Sequence, residues 1–318
     1  MIATWNHLEG NTLEKQYKDQ LSDYREWEQS HDVDALVYPE NFGPRMSIDE
    51  VALHRGEVHT VITNKEARGK EGALAAIIKG TKNAVVSAAL SQVPLSVRTD
   101  VVEITADLAN SMDWICRTNF MCATLVADRF HVQGLVHEAV QELRILERRK
   151  AIDEDNALEK QARKQWGRYD PMRYENGDTK KQLLARSRYL LFKSEAKWID
   201  SQRERAKILF REFPKLEQAY QLSMQFRDIF ENKNLSKEEA SQLLVKWSNH
   251  VKASKLTTLI SASQTIMNNI SKIASYFESR ATNAGAESFN AKLKGFRAML
   301  RGIRDISFFL YRIEKLYA

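Results

Sequence analysis

The sequence has little cysteine and no long apolar run, and these two absences exclude several classes of protein. Its 318 residues include only two cysteines, Cys116 and Cys122, with no Cys-x-x-Cys motif or nearby histidine pair. This context favours buried free thiols over a zinc site or a disulfide. No run approaches the roughly 18 apolar residues of a membrane span, and the N-terminus lacks the basic-then-apolar pattern of a signal peptide. We therefore expect a cytoplasmic protein.

The positive charge of the chain is concentrated near its C-terminus. Hydrophobic residues make up 43% and charged residues 28% of the chain, which is typical of a soluble globular protein, and the formal net charge is +6. From Arg280 to Ala318 there are eight Lys or Arg against three Asp or Glu, a surplus of 8 − 3 = +5. Two interpretations stay open for this segment, namely a solvated helical face and a surface that contacts DNA phosphates.

The first 131 residues alternate between helix-like and strand-like segments. Residues 12–30 have helix-forming composition, and a turn-rich stretch follows up to Pro44. Beyond it, short apolar runs separated by turn residues predict strands at Met46–Leu53, Val58–Thr63, Ala73–Lys79, Val101–Ala106 and Met121–Ala127, and helices at Asn83–Gln92 and Ser111–Asn119. This order predicts an α/β fold with a mixed sheet, in which strand ends commonly carry the active site.

From Val132 to about Phe277 the pattern is almost wholly helical. The amphipathic runs are Leu135–Arg149, Lys180–Phe192, Ile199–Phe210, Leu216–Phe230, Lys237–His250 and Leu256–Phe277. They show no fixed repeat period, which favours a helical insertion over a solenoid. The segment from Asn283 onward is again helical in pattern.

An acidic residue lies within the basic C-terminal segment. In a helix from about Asn283, the residues Glu287, Asn290 and Lys294 fall on one face, and Arg297 and Arg301 continue that face. A carboxylate in this position could hold a cation beside a polyanion.

Two upstream aspartates could join Glu287 in a metal site. Asp49 and Asp107 each lie near the end of a short apolar run, and they would be side by side if the first and fourth predicted strands pair. Three carboxylates from separate elements supply the oxygen ligands that two divalent cations need, about 4 Å apart. Each residue taken alone is weak evidence, because an aspartate at a strand end is more often a helix cap or a surface group. A lone glutamate on a basic helix is usually an ion-pair partner.

The combination of motifs resembles the Asp-Asp-Glu transposases of bacterial insertion sequences, and more narrowly their ISL3-type group. The motifs occur in the family's order from about Gly43 to the C-terminus. They are Ser-Ile-Asp-Glu at 47–50, the strand ending at Asp107, Val-Ala-Asp-Arg-Phe-His-Val at 126–132, the run at 188–193, and Thr-Asn-Ala-Gly-Ala-Glu-Ser-Phe-Asn-Ala-Lys-Leu-Lys at 282–294.

The resemblance implies a ribonuclease-H-like fold interrupted by an all-helical insertion. The domains would be a helical lead-in and linker at 1–43, the first part of the core at 44–131, the insertion at 132–279, and a C-terminal catalytic helix at 280–318. The expected activity is DNA strand cleavage and strand transfer at insertion-sequence ends. The expected partners are double-stranded DNA and a second copy or more of the chain.

The resemblance also assigns site residues. Asp49, Asp107 and Glu287 would bind two Mg²⁺ or Mn²⁺ ions. Asp128 and His131 match an Asp-x-x-His element that assists near the active site. Two alternatives stay open: His131 fixes the strand-to-helix junction, or Asp128 is itself the second catalytic acid. The residues expected to contact transposon-end DNA are Asn290, Lys292, Lys294, Arg297 and Arg301.

The chain departs from the family pattern at several positions, including Leu108 directly after Asp107. Ser288 replaces the usual glycine after the third acid, and a Leu-Arg-Gly sequence at 300–302 stands where the family has Tyr-Gly. Before Gly43 we find no Cys/His pairs or helix-turn-helix of the kind that recognises element ends. We therefore expect either a separately encoded recognition protein or a truncated gene.

Three other functions remain open. The first is a metal-dependent, structure-specific nuclease of the same fold. The second is a catalytically inactive, transposase-derived DNA-binding protein. The third is a helical scaffold whose basic tail packs on an acidic partner.

Overall fold

The computed structural model of the protein describes residues 9–318 and contains a six-stranded mixed sheet. The strands are β1 (Ala35–Val37), β2 (Arg45–His54), β3 (Glu57–Asn64), β4 (Leu74–Lys79), β5 (Glu103–Ala106) and β6 (Thr124–Ala127). Their order across the sheet is β1-β4-β3-β2-β5-β6. The first three neighbouring pairs are antiparallel, and β2, β5 and β6 run parallel. The predicted α/β class with a mixed sheet is confirmed, and β1 is an additional short strand that the sequence did not indicate.

The β2–β3 hairpin forms where the sequence predicts it. Arg55 and Gly56 join the strands with φ angles of 46° and 82°. Two consecutive positive φ values are typical of the tight hairpin turn whose twist matches that of the strands. The hairpin holds the central strand β2 in a fixed register, with Asp49 opposite Val61.

Helices cover both faces of the sheet. Residues 9–128 and 281–318 form one compact unit, which we call the first unit. Its helices are α1 (Gly10–Gln16), α2 (Tyr24–Ser30), α3 (Asn83–Leu90), α4 (Leu95–Thr99), α5 (Asn110–Asn119), α13 (Ala284–Met299) and α14 (Ile306–Tyr317). The predicted lead-in helix at 12–30 is therefore two helices, with a π-helical turn at Tyr17–Leu21 between them. The short helix α4 was not predicted.

Alternation along β2 assigns its side chains to two cores. Met46 and Ile48 pack in a cluster with residues of α3 and α5, whereas Val51 and Leu53 pack in a cluster with residues of α2, α13 and α14. Because successive side chains of a strand point to opposite faces, Asp49 shares the face of Val51 and Leu53. The face of the sheet that carries Asp49 is therefore the face covered by α13.

Residues 129–280 form a second compact unit, while residues 9–128 and 281–318 belong to the first. Its helices are α6 (Arg129–Lys164), α7 (Lys180–Arg186), α8 (Asp200–Glu212), α9 (Pro214–Glu231), α10 (Lys237–Ser254), α11 (Thr257–Asn268) and α12 (Ile270–Ser279). The run predicted at Leu135–Arg149 is the middle of the 36-residue α6. The run predicted at Leu256–Phe277 is two helices that meet at Asn269.

The second unit has its own core and a buried ionic cluster. Stacked and tilted aromatic rings fill the space between its helices, including Phe226 against Trp247 at 4.6 Å between ring centroids. Asp178 is fully buried beside the guanidinium groups of Arg186 and Arg205, with the Arg205 Nε at 2.8 Å. These cations offset the cost of burying the carboxylate, and they tie the turn before α7 to α8.

The structure bears on two expectations from the sequence, the lack of a membrane span and the burial of both cysteines. No helix within residues 9–318 is long and apolar enough to cross a membrane. Neither cysteine is in a disulfide, and Cys116 is buried as predicted, but Cys122 is exposed. The prediction of burial is wrong for Cys122 because it lies in the turn that precedes β6 rather than in a strand.

The buried imidazole of His59 predicts a loss of stability in acid. His59 on β3 is 1% exposed, and burial lowers its pKa from the ordinary value near 6.5. The unfolded chain therefore binds more protons below about pH 6.5, so the free energy of unfolding falls as the pH falls through that range. We expect His59→Gln to reduce this fall between pH 7 and pH 5, measured by urea unfolding at each pH. Equal pH dependence in the two proteins would contradict this assignment.

Candidate active site

Strand pairing brings Asp49 and Asp107 to the same level of the sheet. Ser47 of β2 lies opposite Thr105 of β5 in a parallel ladder. Asp49 and Asp107 each follow two residues later, so they occupy equivalent positions on neighbouring strands. Residues in register on neighbouring strands point to the same face of the sheet. These two strands therefore do pair, which is the condition that the sequence analysis set for Asp49 and Asp107 to lie side by side.

Asp128 continues the row on the next strand. Ala106 of β5 lies opposite Ala127 of β6, and Asp107 and Asp128 are the residues that directly follow. We call Asp49, Asp107 and Asp128 the carboxylate row. Its members lie at the C-terminal ends of parallel strands or, for Asp49, within β2 at the same level.

Two members of the row lie within metal-ligating reach of one another. One carboxylate oxygen of Asp107, one of Asp128 and a ring nitrogen of His131 all lie within 4.8 Å of one another. Asp128 is fully buried, Asp107 is half-buried and His131 is exposed. His131 is the third residue of α6, which begins immediately after Asp128.

An asparagine of α13 holds the carboxylate of Asp49. The Asn290 side-chain amide donates a hydrogen bond of 2.7 Å to Oδ2 of Asp49, and the backbone N–H of Glu50 donates one of 2.8 Å to Oδ1. Asn290 itself is 4% exposed. These two hydrogen bonds, one to each oxygen, therefore fix the orientation of the Asp49 carboxylate.

A second asparagine ties the start of α13 to the sheet. The backbone N–H of Asn283 donates a hydrogen bond of 3.0 Å to Oδ1 of Asp128, and its side-chain amide donates one of 3.4 Å to the carbonyl of Ile48. Asn283 is fully buried. Asp128 thus has a structural role in positioning α13, whatever its role in chemistry.

Glu287 lies between these two asparagines on the same face of α13. Asn283, Glu287 and Asn290 are spaced four and three residues apart, which places them on successive turns of one helix face. The asparagines on either side contact the carboxylate row, so this face is directed towards the row. Glu287 is exposed and in the first turn of α13, where the helix dipole favours a negative charge.

A half-buried lysine, Lys65, lies on the same face of the sheet. The Lys65 ammonium pairs with Glu103 at 3.2 Å and donates a hydrogen bond to the hydroxyl of Thr105. Burial lowers the pKa of Lys65, and the negative charges of Glu103 and Asp128 oppose that shift. Glu103 and Thr105 lie four and two residues before Asp107, so all three side chains point to the same face of the sheet. The ion pair of Lys65 and Glu103 is therefore next to the carboxylate row, at a lower level of the sheet.

The basic residues of α13 and of the turn that follows it have different environments. Lys292 donates to the carbonyl of Gly69 at 2.7 Å, and Arg297 donates to the carbonyl of Ala52 at 3.4 Å. Lys294 is exposed, and Arg301 is exposed with a φ of 56° in the turn after the helix. These four cations therefore include two that are fastened to the first unit and two that project into solvent.

Sequence reasoning missed some of the residues that organise the site. It placed the start of a helix at about Asn283 but gave that asparagine no part in the site, where its backbone N–H binds Asp128. It also missed Lys65. This lysine lies in the turn after β3, and nothing in the neighbouring sequence indicates that it contacts β5, which lies on the other side of β2.

Comparison with known proteins identifies one relationship. The family model for ISL3-type DDE transposases, described as "Transposase", matches residues 46–313. No curated protein and no solved structure matches the chain.

The bond between Asp128 and Asn283 gives a test of the site's scaffold. Asp128→Ala leaves the buried N–H of Asn283 without that acceptor, which costs about 1–3 kcal/mol of unfolding free energy. Asp128→Asn keeps a side-chain carbonyl in place and loses less stability. Urea unfolding of the wild type and both variants measures the difference. Equal loss in the two variants would show that the charge, rather than the hydrogen bond, holds α13 here.

Proposed function

Because the chain belongs to the ISL3-type DDE transposase family, we propose that it cleaves DNA strands and transfers them to a target. Asp49, Asp107 and Glu287 would be the carboxylates that bind the catalytic metal ions. The family implies DNA as the substrate. The observation that carries the residue assignment is the hydrogen bond from Asn290 to Asp49, since it brings the face of α13 that bears Glu287 against the central strand.

The donor set fits divalent cations that prefer oxygen. Asp49, Asp107 and Glu287 offer only carboxylate oxygens, and the carboxylate row is partly exposed at Asp49 and Asp107. These residues would hold two Mg²⁺ or Mn²⁺ ions. When bound, such ions activate a hydroxyl nucleophile and stabilise the leaving oxygen.

The proposed reaction has two steps at one site. In the first, water attacks a phosphodiester, a new P–O bond forms, and the bond to the 3′ oxygen breaks to release a 3′-hydroxyl. In the second, that hydroxyl attacks a target phosphodiester and displaces the target's own 3′ oxygen. The chain's contribution is to hold the phosphate and the carboxylates in fixed positions. Asn290 orients Asp49, and Lys294 and Arg301 extend into solvent where DNA phosphates can bind.

Asp128 and His131 would support the site in different ways. Asp128 is buried and accepts the backbone N–H of Asn283, so we assign it to positioning α13. His131 is exposed, and one of its ring nitrogens lies within 4.8 Å of a carboxylate oxygen of each of the two aspartates, where it can act as a ligand. The alternative, in which Asp128 is the second catalytic acid, predicts that Asp128→Asn is as inactive as Asp107→Asn.

We assign the second unit to DNA-end contacts and assembly. It is wholly helical and follows β6 directly in the chain, ending just before α13. Because two ends must be joined in one event, the active form would contain at least two copies.

Substitution of the acids tests the proposed chemistry. We expect Asp49→Asn, Asp107→Asn and Glu287→Gln each to lower cleavage by about a hundredfold or more, because each ligand helps supply several kcal/mol of charge stabilisation. The measurement is Mg²⁺- or Mn²⁺-dependent cleavage and joining of DNA that carries the sequences bordering the gene. Glu26→Gln, which changes an exposed glutamate of α2, is the matched control.

Three outcomes of this assay separate the candidate functions. Joined products that depend on the three acids support a transposase. Cleavage without joining would indicate a structure-specific nuclease. Wild-type protein that binds DNA but never cleaves it, even with a recognition protein supplied, would indicate an inactive DNA-binding descendant.

The amide of Asn290 gives a finer prediction. Asn290→Ala removes the donor that orients Asp49, and loss of such an outer partner lowers metal affinity or activity by about 10- to 100-fold. Calorimetric titration with Mn²⁺ measures the affinity directly. Ser288→Ala, on the exposed side of the same helix, should bind Mn²⁺ as the wild type does. Unchanged affinity in Asn290→Ala would remove Asp49 from the proposed metal ligands.

A further inference from the structure

An exposed tryptophan marks the C-terminal end of the longest helix. Trp166 follows α6, which ends at Lys164, and it is 99% exposed. Of the large apolar side chains exposed on the described residues, it is the most exposed. A fully solvated indole contributes no packing to this fold, so its presence there requires another explanation.

The backbone at this residue is also in a conformation that bulky side chains rarely adopt. Trp166 has a φ of 55°, in the left-handed region. The turn is closed by hydrogen bonds from the Trp166 and Gly167 N–H groups to the carbonyls of Arg163 and Ala162, at 3.2 and 2.9 Å. The chain therefore ends α6 with the indole projecting from a tight turn, where glycine would meet less strain.

The surroundings of Trp166 are positively charged. Residues 163–168, which we call the basic tip, contain Arg163, Lys164 and Arg168 and no acidic residue. All three cations are exposed. Arg163 pairs with Glu159 one turn earlier at 2.6 Å, so Lys164 and Arg168 are the charges best placed to meet a new partner.

A flat aromatic ring between cations matches the chemistry of DNA that has an unpaired base. Bases stack on exposed aromatic rings, and neighbouring Lys and Arg side chains bind the phosphates on either side. We propose that the basic tip binds DNA, with an unpaired or unstacked base on the indole of Trp166 and the adjacent phosphates on Lys164 and Arg168. This inference rests on the proposed function in one respect only, which is that the partner is DNA.

Binding measurements without divalent metal test the basic tip separately from catalysis. The probes are a blunt duplex, a duplex with a single-stranded flap, and single-stranded DNA, all labelled for fluorescence anisotropy and mixed with the full chain in a chelating buffer. We expect Trp166→Ala to weaken binding of the flap and single-stranded probes by about tenfold, which is within the range for loss of one stacked base. Binding of the blunt duplex should change less. Trp114→Ala, which removes another exposed tryptophan, on α5 of the first unit, should bind all three probes as the wild type does.

Salt dependence and fluorescence distinguish stacking from charge. Trp166→Ala should leave the slope of log affinity against log salt unchanged. The double variant Lys164→Ala/Arg168→Ala should reduce that slope on single-stranded DNA by about 1.4, at about 0.7 for each phosphate that the protein no longer neutralises. Quenching of indole emission on adding single-stranded DNA should be smaller in Trp166→Phe than in the wild type.

The proposal fails if Trp166→Ala binds the flap and single-stranded probes as tightly as the wild type. It also fails if the variant instead dissociates into smaller assemblies during sedimentation without DNA, since the tryptophan would then contact a second copy of the chain. If Trp166→Ala lowers the melting temperature, Trp166→Phe supplies the binding comparison with the ring retained. Either failure would overturn only the role of the basic tip. The proposed function would still stand or fall by the cleavage assay of the wild type.

Discussion

Repulsion among carboxylates at one level of three neighbouring strands is the constraint on which the candidate site depends. Adjacent strands lie about 4.8 Å apart, and two unit charges at that distance repel by about 3–4 kcal/mol at an effective dielectric constant of 20. The parallel registers of β2, β5 and β6 nevertheless bring Asp49, Asp107 and Asp128 into one row. A fold that accepts this cost must offset it, through hydrogen bonds to the carboxylates and through cations that bind to them.

The hydrogen bonds come from a distant part of the chain. Asn283 reaches Asp128 across 155 residues, and Asn290 reaches Asp49 across 241. Closing so long a loop costs only slightly more entropy than closing a shorter one, because the cost grows with the logarithm of loop length. A compact helical unit with its own core can therefore occupy the interval without preventing α13 from reaching the sheet.

Local patterns predicted the parts of the fold that local physics determines. The β2–β3 hairpin was predictable because Gly56 marks a tight turn between two alternating strands. The sequence indicated β2 and β5 as apolar runs that each lead to an aspartate, but which strand lies beside which depends on the whole sheet and is seen only in the structure. The three-residue β1 has no such signal, since its existence depends on β4. The break at Asn269 lacks the glycine or proline that usually marks one. The bond from Asn290 to Asp49 and the pair of Lys65 with Glu103 depend on tertiary placement, so composition and spacing could not indicate them.

The partners of the row suggest why a cation-binding site would be built in this way. Asn290 and the backbone of Asn283 are neutral donors, so they fix the direction of a carboxylate without adding positive charge to it. The nearby Lys65 directs its ammonium to Glu103 and Thr105. A lysine bonded directly to a metal-ligating oxygen would compete with the metal for that oxygen. Orienting the acids with amides, while the lysine lies one level lower in the sheet, preserves both the geometry and the negative charge that a divalent cation requires.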